Sequence, residues 1–140
     1  MVPSPTAPAA CLLHFDDERA AAQRLAQASG LPALEIARHR FPDGELKLTL
    51  PVDASGLLPE RAVLLRSLHQ PNDKLIELLL AARAARGLGV HHLTLVAPYL
   101  AYMRQDIAFR PGEAVSQRIV GPFLASLFDA VVTVDPHLHR

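Results

Sequence analysis

Short apolar segments with the composition of β-strands alternate along this chain with longer helical segments, and this alternation constrains the fold most. The predicted strands are Cys11–Phe15, Leu34–His39, Glu45–Leu50, Ala62–Ser67, His92–Ala97 and Ala130–Val134. The predicted helices run from Asp16 or Asp17 to Ser29, from Asn72 or Asp73 to Arg86, and from Ser116 to Phe128. This order predicts an α/β fold, in which a mostly parallel sheet is covered by helices on both faces.

A short β-hairpin is predicted near residues 34–50. Its second strand alternates Leu46, Leu48 and Leu50 with polar residues, which is typical of a strand with one buried face. The dipeptide Asp43-Gly44, directly before this strand, is a turn signal. The chain is therefore expected to carry an antiparallel element beside its main sheet.

Two of the predicted helices have a feature that a simple amphipathic pattern does not explain. The second is apolar on more than one side between Leu75 and Leu80. Either this helix is deeply buried, or its second side contacts another subunit. The third contains Pro122, which removes a helical hydrogen bond, so we expect a kink or a later start there.

Length and composition indicate one domain, residues 11–140, after a tail. A chain of 140 residues can bury a core without disulfides, and Cys11 is its only cysteine. Met1–Ala10 is rich in proline and alanine, which predicts a disordered tail. The 14 basic residues balance the 14 acidic ones, so nothing indicates nucleic-acid binding. With no membrane span or signal peptide predicted, we expect a soluble cytoplasmic protein with no membrane partner.

A polar cluster, Arg104, Gln105 and Asp106, follows the apolar segment His92–Ala97 and both tyrosines of the chain. In open parallel sheets, ligands bind beyond the carboxyl ends of the strands, where this cluster is expected to lie. Arginine offers a rigid fork of donors that suits phosphate, and glutamine can bind an amide or a nucleobase edge. The alternative is that the three residues form ordinary surface salt bridges.

A second cluster follows the last predicted strand, and it comprises Asp135, His137 and His139. In an extended segment these three side chains project to the same side. Carboxylate and imidazole groups together suit a divalent cation or a proton transfer. The alternative is an exposed chain end with incidental histidines. Topology predicts that this cluster and Arg104–Asp106 share one edge of the sheet.

Three segments taken together resemble a known family. Phe41–Glu45 has the pattern Phe-x-Asp-Gly-Glu, Pro98–Asp106 ends in Tyr-Met-Arg-Gln-Asp, and Asp135–His137 reads Asp-Pro-His. Their order and approximate spacing are similar to those of ribose-phosphate pyrophosphokinases, the PRPP synthetases. Ser67, Pro71-Asn72-Asp73 and the helix that follows also resemble that family, so the likeness covers essentially Cys11 to Arg140.

The resemblance implies a phosphoribosyltransferase-like (Rossmann-like) fold and a transfer of diphosphate from ATP to C1 of ribose 5-phosphate, with Mg²⁺ on the phosphate oxygens. The ATP-binding residues that it implies are Phe41, Asp43, Glu45, Arg104, Gln105 and Asp106. The metal-binding residue that it implies is His137, with Asp135 and His139 as further candidates. In this family the Phe41–Glu45 segment typically faces the ATP of a neighbouring subunit, which implies a homo-oligomer.

The resemblance also implies that these residues lack the family's second domain. Family members have two similar α/β domains, and the loop that holds ribose 5-phosphate belongs to the second, which nothing in this chain resembles. We therefore expect residues 11–140 to be the N-terminal, ATP-side domain of such a protein. This domain is expected to be inactive by itself, and no catalytic residue is assigned to it. The alternative function is a non-catalytic regulatory or oligomerisation module of the same family.

Overall fold

Five parallel strands form the central sheet of the computed structural model, which describes residues 9–134 and Pro136. In chain order the elements are β1 (Ala10–His14), α1 (Arg19–Ser29), β2 (Ala33–Glu35), β3 (Ala37–Arg40), β4 (Leu46–Thr49), β5 (Arg61–Leu65), α2 (Pro71–Gly87), β6 (His92–Val96), α3 (Ser116–Leu127) and β7 (Ala130–Val132). The sheet order is β2-β1-β5-β6-β7, and β3 pairs with β4 in a separate antiparallel sheet. The predicted α/β fold and hairpin are confirmed.

Helices cover both faces of the sheet. On one face, Ala22 and Leu25 of α1 pack with Leu12 and Leu65. On the other face α2 and α3 form the larger core with the side chains of the central strands, among them Leu13, Leu64, Leu93 and Leu95. The three central strands, β1, β5 and β6, thus present apolar residues to both faces, which explains why they are nearly continuous apolar runs.

The segment predicted as one strand, 34–39, forms two. Its first part extends the sheet beside β1, and the N–H of Ile36 still donates to the carbonyl of His14 at 2.8 Å. The chain then leaves the sheet, and β3 pairs with β4 in a register that sets Arg40 opposite Leu46. Between them Gly44 adopts a φ of 95°, a conformation that glycine reaches without steric cost.

Two of the three predicted helix starts were wrong in detail. No side chain of Asp16 or Asp17 caps α1, because these carboxylates bind Arg38 and Arg66 instead. The second helix begins at Pro71, where proline has no N–H to leave unpaired, rather than after a cap by Asn72 or Asp73. The third begins at Ser116 as predicted, with Pro122 inside it, so the expected alternative of a later start is wrong.

The second apolar side of α2 is on the surface of this chain. Ile76 is 51% exposed and Leu80 is 38% exposed, whereas Leu78 on the opposite side is fully buried. Deep burial therefore does not explain the extra apolar residues. The alternative of a contact with another subunit stays a prediction. In residues 9–134, no helix is long and apolar enough to span a membrane.

Candidate functional site

A cleft of about 360 Å³ opens at the carboxyl edge of the sheet, between the loops that follow β5 and β6. Its lining residues are His69, Gln70, Pro71, Asn72, Tyr99, Ala101, Tyr102, Arg104 and Gln105. Two of the predicted site residues, Arg104 and Gln105, are among them. The structure thus brings the Arg104–Asp106 segment together with the polar connection after the neighbouring strand.

The loop between β5 and α2 is held by side chains on both sides. The carboxylate of Glu18 accepts a hydrogen bond from the N–H of Ser67 at 3.1 Å. The ammonium group of Lys74 donates to the carbonyls of Ser67, at 3.1 Å, and His69, at 2.7 Å. Charged groups therefore bind three backbone groups of this loop, at Ser67 and His69, which makes it a rigid wall of the cleft.

The opposite wall, which follows β6, is joined to this loop by backbone contacts. The N–H of Leu68 donates to the carbonyl of Tyr99 at 2.8 Å, and the N–H of Tyr99 donates to the hydroxyl of Ser67 at 3.1 Å. Further along, the hydroxyl of Tyr102 donates to the side-chain carbonyl of Asn72. The two walls thus form one hydrogen-bonded unit.

The three polar residues after β6 differ in their surroundings. Arg104 is exposed, so its guanidinium group is accessible to a ligand in the cleft. The side-chain amide of Gln105 donates to the carbonyl of Ile107 at 2.9 Å, and its backbone carbonyl accepts from the N–H of Gln117 at 3.1 Å. Asp106 is only 8% exposed. Gln105 and Asp106 are therefore integrated into the loop, whereas Arg104 faces the open cleft.

The predicted residues Phe41, Asp43 and Glu45 form the tip of the hairpin and do not line the cleft of their own chain. A backbone hydrogen bond of 2.8 Å from the N–H of Phe41 to the carbonyl of Glu45 closes the tip. The ring of Phe41 is 40% exposed and meets His39 edge to face at 4.9 Å. The tip is thus an ordered turn with an aromatic ring on its surface.

The predicted metal-binding cluster, Asp135, His137 and His139, lies outside the described residues. Within residues 9–134, no group of three or more His, Cys, Asp or Glu side chains is arranged to hold a metal ion. The strand before the cluster, β7, pairs with β6 so that Val132 is opposite Val96. The carboxyl ends of these two strands consequently share the edge of the sheet that carries the cleft.

Beside the cleft, at the carboxyl ends of β1 and β5, a buried ion network surrounds Arg66. This arginine is 1% exposed, and its guanidinium group binds Glu77 at 2.8 Å, Asp17 at 2.6 Å and Glu18 at 3.0 Å. It also lies 4.8 Å from the centre of the Phe15 ring, close enough for a cation–π interaction. Among the described residues, no buried side-chain nitrogen or oxygen lacks a hydrogen-bond partner.

Glu77 is shared by two arginines. It is 2% exposed, and its second carboxylate oxygen accepts from Arg38 of the hairpin, which also binds Asp16 at 2.6 Å. Burial alone would raise the pKa of Asp17, but its hydrogen bond and ion pair with Arg66 outweigh burial and lower that pKa below its usual range. The network therefore links the turn after β1, the hairpin, the end of β5 and α2 through charged groups.

Sequence reasoning did not identify Arg66, His69 or Gln70 as part of this edge. A usable signal was present for the last two, because Ser67–Asn72 is a polar connection directly after a buried strand, as Arg104–Asp106 is. Arg66 gave no such signal, since an arginine at the end of a strand is most often exposed. The approach of Glu77, Asp17 and Glu18 from distant positions makes its burial possible.

Comparison with known proteins gives consistent results. A family model described as the N-terminal domain of ribose phosphate pyrophosphokinase matches residues 10–127. A ribose-phosphate pyrophosphokinase from Halobacterium salinarum is 39% identical over 126 residues, which cover 90% of this chain and 43% of that protein. One from Saccharolobus solfataricus is 37% identical over 117 residues, 82% of this chain and 39% of that protein. The chain thus spans less than half the length of these relatives.

A solved structure is also similar. The crystal structure of phosphoribosylpyrophosphate synthetase from Mycobacterium smegmatis matches with a TM-score of 0.76 over 91% of this chain and 43% of that one. The sequences are 23% identical, so this likeness supports the fold alone.

Replacing Glu77 by alanine is expected to lower the free energy of unfolding by about 3–5 kcal/mol, because it removes the buried carboxylate that Arg38 and Arg66 share and leaves a cavity beside the buried Arg66 charge. Denaturant titration measures this loss. The matched control is Glu35→Ala, which removes a surface partner of Arg19 at 2.8 Å and is expected to cost at most about 1 kcal/mol. Equal losses in the two variants would contradict the importance of the buried network.

The lowered pKa of Asp17 predicts a specific acid sensitivity. Because its pKa is lower in the folded chain than in the unfolded one, Asp17 contributes stability above the unfolded pKa, and this contribution is lost as pH falls through the folded pKa. Denaturant titrations from neutral pH to below pH ~4 are expected to show a smaller loss of stability in Asp17→Asn than in the unmodified chain. Superimposable acid profiles would show that Asp17 does not contribute in this way.

Proposed function

Because the chain belongs to the ribose-phosphate pyrophosphokinase family, we propose that its cleft beside Arg104 binds ATP, the diphosphate donor. The observation that carries this proposal is the convergence of an exposed arginine and a rigid polar loop on one cleft at the carboxyl edge of a parallel sheet. Guanidinium groups suit phosphate because their donors are fixed in a fork. The amino-terminal end of α2 also opens on this cleft, and its partial positive charge favours anions.

The three polar residues after β6 have different roles in the proposed site. Arg104 contacts the phosphates, since its side chain is exposed at the cleft. Gln105 offers its remaining amide oxygen to the nucleotide while its nitrogen stays bound to Ile107. Asp106 supports the loop from its buried position rather than meeting the ligand directly.

The hairpin tip supplies the adenine side of the site in a neighbouring subunit. Phe41 is exposed at 40% and does not line the cleft of its own chain, as expected of a ring that is covered only in an oligomer. Asp43 and Glu45 flank it on the same turn, where the carboxylate of Asp43 accepts from the N–H of Glu45 at 3.0 Å. A homo-oligomer is therefore part of this proposal.

The proposed site also includes Mg²⁺, for which His137 is the proposed binding residue and Asp135 and His139 are further candidates. Support comes from their position in the sequence directly after β7, whose end lies at the cleft edge of the sheet. The chemistry that Mg²⁺ supplies when bound is neutralisation of phosphate charge. Arg104 adds a fixed positive charge on the protein side.

In the complete reaction, the anomeric hydroxyl of ribose 5-phosphate attacks the β-phosphorus of ATP, and AMP leaves. Transfer of this kind depends mainly on positioning and on neutralising charge, which Arg104 and the cleft are suited to provide. We propose that the groups that bind ribose 5-phosphate lie outside these 140 residues. The relatives' greater length supports this, because the chain covers 43% of the Halobacterium protein.

A non-catalytic regulatory or oligomerisation module is the second candidate function. The observation that favours it is the exposed apolar side of α2, where Ile76 and Leu80 lie one turn apart. A module of this kind keeps the subunit contacts but has no use for Arg104 in the cleft. Nucleotide binding by the isolated chain distinguishes the two functions.

Replacing Arg104 by alanine is expected to weaken the binding of Mg-ATP by about tenfold or more, because a charge-assisted contact with phosphate is lost. Isothermal titration calorimetry measures the dissociation constant. The matched control is Arg24→Ala, which removes an exposed arginine from α1 on the other face of the sheet. An affinity unchanged by Arg104→Ala would remove this residue from the site.

The isolated chain of 140 residues is expected to form no PRPP from Mg-ATP and ribose 5-phosphate, although it binds Mg-ATP. The reason is that a bound donor without a bound acceptor leaves the reaction bimolecular and unassisted. A radiometric assay for PRPP, with a full-length family member as the positive control, tests this. Clear PRPP formation by the chain alone would contradict the proposal that ribose 5-phosphate is bound by groups outside these 140 residues.

A further inference from the structure

The cleft contains two residues in an unusual backbone conformation, one on each wall. Among the described residues, Gln70 and Tyr102 are the two that have a positive φ without being glycine, at 51° and 64°. Both line the cleft. The left-handed conformation is unfavourable for them because Cβ approaches the following carbonyl oxygen, so it persists only where neighbouring contacts impose it.

Besides the contacts of Tyr99 with Ser67 and His69, one side-chain hydrogen bond joins the two walls. The hydroxyl of Tyr102 donates to the side-chain carbonyl of Asn72, the second residue of α2. We refer to this contact as the Asn72–Tyr102 latch. It connects the loop after β6 to a helix end, and its two residues are far apart in sequence.

The Asn72 side of the latch is the fixed one. The helix behind it is anchored by Leu78, which is fully buried, and by Glu77 in the ion network. Lys74, one residue beyond Asp73, ties the preceding loop to the same helix turn through two carbonyls. Tyr102 is therefore tied to a rigid part of the domain.

The Tyr102 side determines where the next residues point. Arg104 and Gln105 follow Tyr102 closely in the sequence, and both line the cleft. A left-handed residue changes the chain direction sharply, so releasing Tyr102 to an ordinary conformation would redirect the segment after it. Met103, which is buried, and Asp106, at 8% exposure, hold the far side of this short segment.

We propose that Asn72 and Tyr102 are positioning residues, whose hydrogen bond holds the turn at Tyr102 so that Arg104 and Gln105 face the nucleotide. Neither side chain needs to touch the reacting atoms. The proposal rests on the proposed ATP site for its effect on affinity, but the latch itself exists without any ligand. Its two consequences, loop order and nucleotide affinity, can therefore be tested separately.

The first experiment measures loop order in the ligand-free chain by hydrogen–deuterium exchange. In Tyr102→Phe and in Asn72→Leu, the amide of Gln117, which donates to the carbonyl of Gln105 at 3.1 Å, is expected to exchange about three- to tenfold faster, because the loss of one net hydrogen bond loosens the segment that carries this carbonyl. Asn72→Asp retains an acceptor oxygen and is expected to preserve the slower exchange. The amides of β6 are the internal control, since general destabilisation would accelerate them as well.

The second experiment measures Mg-ATP affinity by calorimetry in Tyr102→Phe, in Asn72→Leu and in the double variant Asn72→Leu/Tyr102→Phe. Each single change is expected to weaken binding about three- to tenfold, and the double variant is expected to be no weaker than the poorer single one. Ser126→Ala, which removes a hydroxyl hydrogen bond of 2.6 Å from α3, is the matched control and is expected to bind as the unmodified chain does.

The outcomes separate the latch from the ATP site. Unchanged exchange in Tyr102→Phe, or acceleration that includes β6, overturns the latch, and so do affinity losses that multiply in the double variant. If the unmodified chain does not bind Mg-ATP, the proposed function fails, while the exchange experiment still decides whether the latch orders residues 103–107. Faster exchange of the Gln117 amide without acceleration in β6, together with non-additive affinity losses, supports the proposal.

Discussion

The guanidinium group of Arg66 is a buried positive charge, and much of the carboxyl edge of the sheet is arranged around it. Burying an isolated charge is very costly, so the chain must bring carboxylates to it from elsewhere. Asp17 and Glu18 come from the turn after β1, and Glu77 comes from α2. Glu77 in turn binds Arg38. The guanidinium group of Arg38 lies 5.2 Å from the centre of the Phe15 ring, which Arg66 also contacts.

This network occupies the place where a ligand would otherwise be expected. In a doubly wound sheet, the crevice forms where the strand order reverses, and here the order β2-β1-β5-β6-β7 reverses between β1 and β5. The ends of those two strands are filled by Phe15 and by the carboxylates around Arg66. The open cleft lies one strand further along, beyond β5 and β6, where loops rather than ion pairs border the space.

Local sequence patterns predicted the parts of this structure that depend on neighbouring residues. Alternation in Leu46–Leu50 located a strand of the hairpin, and the apolar run at His92 located β6 and hence the edge that carries Arg104. Contacts between distant positions could not be predicted in this way. Asp16 and Asp17 looked like helix caps because nothing local shows that Arg38 and Arg66 compete for their carboxylates. The division of residues 34–39 at Ile36 likewise depends on pairing with His14 across the sheet.

The position of the tyrosines has a spectroscopic consequence. The chain contains two tyrosines and no tryptophan, and Tyr99 and Tyr102 both line the cleft. Nearly all of its ultraviolet emission must therefore originate at the candidate site, from one ring on each side of Ala101. The intrinsic fluorescence of the unlabelled protein is thus a reporter located at the cleft itself.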